Sequence, residues 1–75
     1  MNEIYARAVE IAKEQAEAKR KNPYLSGTVG PCTLQRRLRI GFSRAAGILE
    51  EMRKAGLVEW VEGYRYKWVE KRSAA

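Results

Sequence analysis

The stretch Leu34-Gln35-Arg36-Arg37-Leu38-Arg39-Ile40-Gly41-Phe42-Ser43-Arg44-Ala45-Ala46-Gly47-Ile48-Leu49-Glu50-Glu51-Met52 decides the fold of this 75-residue chain. Leu34 and Leu38 stand four apart with three polar residues between them, which predicts a short amphipathic helix capped by Cys32 or Thr33. Gly41 then interrupts the pattern. Glycine supplies the positive φ that ends a helix tightly, and Ser43 is a strong cap for a following one. Ala45, Ile48, Leu49 and Met52 share one face of a helix from Ser43 to about Ala55, which stops at Gly56. Two helices joined through Ile40-Gly41 meet at a steep angle.

Working outward, residues 2–21 predict a helix with Asn2 as its cap and Glu3 near the positive end of its dipole. Its apolar face is Ile4, Ala8, Ile11 and Ala12, extended by Tyr5 and Val9, and its last turn holds Lys19-Arg20-Lys21. Residues 22–31 hold two Pro and two Gly and read as a loop, with Thr28-Val29 as a few residues of extended chain that end near Cys32. Tyr24 and Leu25 are expected to pack back onto the core. Beyond Gly56 the period changes to two. Residues 57–62 and 64–69 read as strands joined at Glu62-Gly63, with Tyr64, Tyr66 and Trp68 on one side and Arg65 and Lys67 on the other. The expected architecture is therefore α+β, mainly α: a winged helix-turn-helix of three helices plus a C-terminal β-hairpin wing. One domain spans 1–75, with helix-turn-helix at 32–56, wing at 57–70 and a polar tail at 71–75.

Composition excludes most chemistry. The chain has one cysteine and no histidine, whereas a zinc site needs about four ligands of these or carboxylate types. The core of so short a chain is too shallow for an organic cofactor. No nucleophile–base constellation is present, so catalytic residues, cofactor, metal and small-molecule substrate are all expected to be absent. The lone Cys32 reads as a small buried hydrophobe in a reducing compartment. No apolar run approaches the roughly 18 residues of a membrane span, nor is there a hydrophobic signal core. A cytoplasmic basic module is expected.

Of the net charge of +6, four units lie in residues 31–56, where Arg36, Arg37, Arg39, Arg44, Arg53 and Lys54 face only Glu50 and Glu51. Arginine's planar fork suits phosphate and guanine edges, so this bias points to nucleic acid; the alternative is a solvated, solubilising surface. With the core face of the third helix fixed, its opposite face is centred on Ser43, Gly47, Glu50 and Lys54, with Arg44 on the flank. Gly47 costs up to about 1 kcal/mol in a helix interior. It either permits a partner's close approach or is incidental.

The stretch quoted above, continuing to Ala55-Gly56-Leu57-Val58, resembles the gamma domain of the FtsK/SpoIIIE DNA translocases. That family carries a pattern close to Gln-Arg-basic-Leu-basic-Ile-Gly-Tyr-Asn-Arg-Ala-Ala-Arg, then an Ala-Gly-hydrophobic-Val helix end. Tyr5-Ala6-Arg7-Ala8-Val9 is similar to the opening of its first helix. The resemblance implies a winged helix that reads a short DNA sequence with its third helix, the base-reading positions falling on Ser43, Arg44, Gly47 and Glu50. Ser43 stands where the family has Asn and Gly47 where it has Arg, so a different target sequence is implied. The loop at 22–31 is longer and the wing more aromatic than the family's. No phosphate-binding Gly-x-x-x-x-Gly-Lys-Ser/Thr loop is present, so the chain is expected to act without a motor, as a small regulator or DNA-positioning module from a phage, a plasmid or an excised domain.

Arg44 is expected to fork onto a guanine, the alternative being a surface ion pair to Glu51 or a neighbouring Glu. Arg36, Arg37, Arg39, Lys54, Arg65 and Lys67 are expected to contact phosphate. Glu50 is expected to accept from a cytosine amino group or merely to solubilise, and capping alone accounts for Ser43. Trp60, Tyr64, Tyr66 and Trp68 are four of seven aromatics. They are expected to pack beneath the wing; base stacking and a homodimer contact are the alternatives. Double-stranded DNA is thus the expected partner. The rival reading is a winged helix that binds protein through its aromatic wing or Gly47 face and modulates a host or phage partner.

Overall fold

Helix α1 (Glu3–Lys21) buries Ala8, Ile11 and Ala12, the face its apolar spacing marks, and its last turn carries Lys19, Arg20 and Lys21. The computed structural model describes residues 3–69, so the Asn2 cap and the polar tail fall outside the described residues. Strand β1 (Thr28–Val29) follows, then helices α2 (Pro31–Leu38) and α3 (Phe42–Lys54) and strands β2 (Val58–Glu62) and β3 (Arg65–Trp68). The result is the expected α+β, mainly helical winged-helix arrangement.

The three strands form an antiparallel sheet in the order β1-β3-β2. β3 is therefore central, with Tyr66 opposite Val29 on one side and Trp60 on the other. The pairing of β2 with β3 shifts between Trp60 and Glu62, which leaves Val61 as the extra residue of a bulge. The core gathers Ala8, Ile11 and Ala12 of α1, Val29 of β1, Leu34 of α2, Ala45, Ile48, Leu49 and Met52 of α3, and Val58 and Tyr66 of the sheet. The whole predicted core face of α3 is buried.

Several expectations are corrected. β1 ends at Val29, short of Cys32. Helix α2 begins at Pro31, earlier than a Cys32 or Thr33 cap implies. Gly30 is its N-cap, and Pro31 suits the first turn because it has no amide to leave unsatisfied. Cys32, displaced into that first turn, is exposed rather than buried. The positive φ between α2 and α3 belongs to Arg39 (56°), not Gly41, whose φ is −76°. Leu38 packs against the core and ends α2, so the next residue must reverse the chain, and that residue is Arg39; its amide donates to the Gln35 carbonyl at 2.8 Å. Gly41 becomes the extended N-cap of α3, and Ser43, one residue inside the helix, caps nothing. Tyr24 and Leu25 do not pack back: Tyr24 is 96% exposed and Leu25 is also at the surface. Asn22 folds the chain locally instead, its side chain accepting from the Tyr24 amide at 3.1 Å.

The wing aromatics divide. Tyr66 is buried and Trp68 packs partly against the core, but Trp60 is 55% and Tyr64 63% exposed. Both flank the wing turn, where Tyr64 meets only the start of α3 through Phe42 and Trp60 bonds within the wing to the Gly63 carbonyl.

Gly30 lies close against the wing, since a Cβ there would stand 2.6 Å from the Tyr64 carbonyl oxygen. Gly47 is its opposite, as a Cβ there meets nothing within 4 Å. Chemical denaturation is therefore expected to show Gly30→Ala destabilised by about 1–3 kcal/mol and Gly47→Ala stabilised by up to about 1 kcal/mol. Equal effects from the two substitutions would contradict this packing.

Candidate nucleic-acid interface

Helix α3 turns Ala45, Ile48, Leu49 and Met52 inward, so geometry carries Ser43, Arg44 and Gly47 to the surface, where all three are exposed. Glu50 lies on the same side and is half-buried. Among the described residues Arg44 makes no ion pair, to Glu51 or to any other carboxylate. It stands exposed in the first turn of the helix.

Glu50 is tied by side-chain hydrogen bonds to two residues. The Arg53 guanidinium donates to both of its carboxylate oxygens, Nη2 to Oε1 at 3.1 Å and Nε to each at 3.3 Å. The phenol of Tyr66 donates to Oε2 at 2.8 Å. These bonds, Arg53's first, hold the Glu50 carboxyl below its ordinary pKa. Burial, and then the bond to Glu50, push the Tyr66 phenol above its own. Glu50 thus stays charged and Tyr66 stays a donor. The Glu50–Arg53 pair was legible as an i,i+3 helix contact. The Tyr66 contact was not, because it spans two elements whose relative placement no local pattern records.

A second link joins α3 to the wing. Phe42, the first residue of α3, meets Tyr64 edge-to-face with ring centroids 5.3 Å apart. The wing tip is stiffened from within, where the Trp60 indole N–H donates to the Gly63 carbonyl at 2.9 Å. The wing therefore rests on α3 at two places, near its start and at its middle.

The cations expected at phosphate are dispersed unevenly. Arg36, Arg39 and Lys54 are exposed, and none is in an ion pair among the described residues. Arg37 is drawn to α1, its Nη2 standing 3.0 Å from Oε1 of Glu14. Arg65 is 3.5 Å from Glu62 at the wing turn. Lys67 lies opposite Glu59 and Thr28 in the sheet, on its solvent side. Such exposed pairs are worth about 0–1 kcal/mol, so they direct these side chains without locking them. Lys13 stands over the Trp68 ring, 5.7 Å from its centroid, on the far side of the molecule. The described residues contain no cluster of three or more potential metal ligands, and no helix long and apolar enough to cross a membrane.

Comparison with known proteins bears on this geometry. A family model described as the Ftsk gamma domain matches residues 26–67, from the residues before β1 to the end of the wing. A curated relative, the DNA translocase FtsK of Lactiplantibacillus plantarum, is 36% identical over 74 residues. The match takes in 99% of this chain and 8% of that protein, so the chain spans only a small part of the relative's length. No solved structure matches significantly. The family match covers more than half of the chain and takes in α2, the turn, α3 and the wing, which are the elements that build the arginine-rich face: the chain belongs to the FtsK gamma domain family.

Proposed function

We propose that this chain binds double-stranded DNA sequence-specifically, with α3 in the major groove and the wing along the backbone. A major groove about 12 Å wide admits one helix, and α3 offers it an exposed face. Support comes from the family, from a relative named as a DNA translocase, and above all from two conformational costs on one surface. Arg39 holds a left-handed backbone at φ 56°, which for a residue with a Cβ costs roughly 1–2 kcal/mol. Gly47 weakens the middle of α3 although a side chain there would meet nothing. The reversal at Arg39 closes α2 through its amide bond to the Gln35 carbonyl, but the fold gives no reason for an arginine rather than a glycine there, and the cost at Gly47 has no compensating contact at all. A ligand accounts for both choices: a cation placed at the turn, and a helix backbone left bare for close approach.

On this reading Arg44 forks onto a guanine, Ser43 and Gly47 line the groove, and Glu50 accepts from a base amino group. Arg36, Arg39, Lys54, Arg65 and Lys67 neutralise phosphates, and Arg37 joins them when it leaves Glu14. On this reading the chain acts as a DNA-positioning or regulatory module. The exposed Trp60 and Tyr64 favour a second reading, in which the wing tip docks a protein or a second copy of this chain.

Fluorescence anisotropy with a random-sequence duplex tests the main reading. Six phosphate contacts predict a log–log salt slope of about −5; no binding at low salt would favour the protein-docking alternative. Arg44→Ala is expected to cost about 1–3 kcal/mol on a selected site and much less on random duplex. Equal losses on both would remove Arg44 from the base readers. Arg39→Gly and Gly47→Ala are expected to stabilise the fold and yet weaken binding. A variant that gains stability and keeps its full affinity would mean that its position carries no cost on behalf of DNA.

A further inference from the structure

The Glu50 carboxylate is more constrained than a solvent-facing glutamate on a helix ordinarily is. Three N–H or O–H groups supply its bonds: Arg53 Nη2 to Oε1, Arg53 Nε shared between both oxygens, and Tyr66 Oη to Oε2. An ionised carboxylate offers about four lone-pair sites, so three donors leave acceptor capacity for a ligand, and the Glu50 side chain, 44% exposed, is open to one. Tyr66 is itself fixed, being 7% exposed and standing in the central strand between Val29 and Trp60. Its phenol reaches Glu50 on α3. The lowered pKa of Glu50 and the raised pKa of Tyr66 keep one a pure acceptor and the other a donor around neutral pH.

We propose that Tyr66 and Arg53 are positioning residues that aim the Glu50 carboxylate at an exocyclic amino group in the major groove, and so set the base accepted at one position of the site. This rests on the DNA-binding reading above. A carboxylate can only accept. In the major groove it is therefore matched by the N4 amino group of cytosine or the N6 amino group of adenine, and repelled by the O6 of guanine and the O4 of thymine. Arg53 has a second effect. Its positive charge beside Glu50 offsets the repulsion between the carboxylate and nearby phosphates, which lets an acidic side chain lie on a DNA-facing helix at all. The wing thereby contributes to base choice without touching a base, because its central strand carries the phenol that orients the reader.

Selection from a pool of randomised duplexes tests this, using the full chain, Tyr66→Phe and Arg53→Met, alongside anisotropy on random duplex across salt. Tyr66→Phe retains the buried ring and deletes one hydroxyl. Arg53→Met changes an exposed side chain, so it reports even if the tyrosine variant folds poorly. The unsubstituted chain is expected to prefer cytosine or adenine at one position. Each variant is expected to reduce that preference about tenfold, with the other positions and the random-duplex salt slope of Tyr66→Phe unchanged. Preference profiles in both variants identical to the original, or a loss spread evenly over all positions, would overturn the positioning role while leaving sequence-specific binding intact. A flat profile from the unsubstituted chain, despite binding to random duplex, would instead remove sequence-specific reading and this proposal together.

Discussion

A chain of this length buries only about two-thirds of its unfolded surface, and a two-stranded hairpin is at best marginal on its own. The wing of this protein must therefore be fixed by something more specific than area, and Tyr66 is what fixes it. β1 contributes only Thr28 and Val29, but these make β3 the middle strand and set Tyr66 opposite Val29. Sliding β3 by one residue would turn Tyr66 outwards and bring Arg65 or Lys67 into the core, so register is held by the difference between burying a ring and burying a charge. The phenol then reaches Glu50 at 2.8 Å. One side chain thus sets strand register, closes the core beneath the sheet and connects the sheet to α3.

What was legible in the sequence is what repeats along one element. Ala45, Ile48, Leu49 and Met52 specify the inner face of α3 by spacing alone, and hence its outer face as well. The switch from a period of 3.6 to a period of 2 after Gly56 marks the wing. The failures lie where neighbours compete for one backbone role. Gly41 is the residue most tolerant of a positive φ, but the reversal must follow Leu38 directly, and Arg39 occupies that place. Cys32 and Thr33 read as caps only until Pro31 is admitted to the helix. Tyr24 and Leu25 are apolar enough for a core, yet the loop they belong to is satisfied locally by Asn22 and leaves them at the surface. Composition called the wing aromatics one group, and only the placement of the wing over the core separates Tyr66 and Trp68, which pack into it, from Trp60 and Tyr64, which stay exposed.

The candidate site was legible to a similar depth. A helical wheel collects Ser43, Arg44, Gly47 and Glu50 without reference to any relative, because it needs only the buried face. It does not say what each group already holds. Arg37 and Arg36 are neighbours with the same chemistry, yet one is drawn to Glu14 of α1 and the other is in no ion pair among the described residues. Glu50 and Glu51 are likewise neighbours, and only Glu50 meets Tyr66. Such distinctions come from contacts between α1 and α2, or between α3 and β3, which a one-dimensional pattern does not contain.

The substitutions that set this chain apart from the family's motif act together on the proposed reading face. Serine at 43 and glycine at 47 replace two longer polar side chains with small ones, which lowers the profile of α3 on either side of Arg44. A lower helix lets the backbone sit nearer a partner, and shorter side chains reach fewer base edges. Discrimination on such a face falls to the side chains that remain long, Arg44 and Glu50, which differ in how they are held. Arg44 has no partner in an ion pair among the described residues and is free to adapt. Glu50 is held by donors from two elements, and its direction is set before any ligand arrives. A preset acceptor loses little conformational freedom on binding, whereas a mobile arginine loses more of it for each bond formed. On the proposed reading, the wing's hold on Glu50 thus offsets, at one position, the contacts that the small residues at 43 and 47 give up.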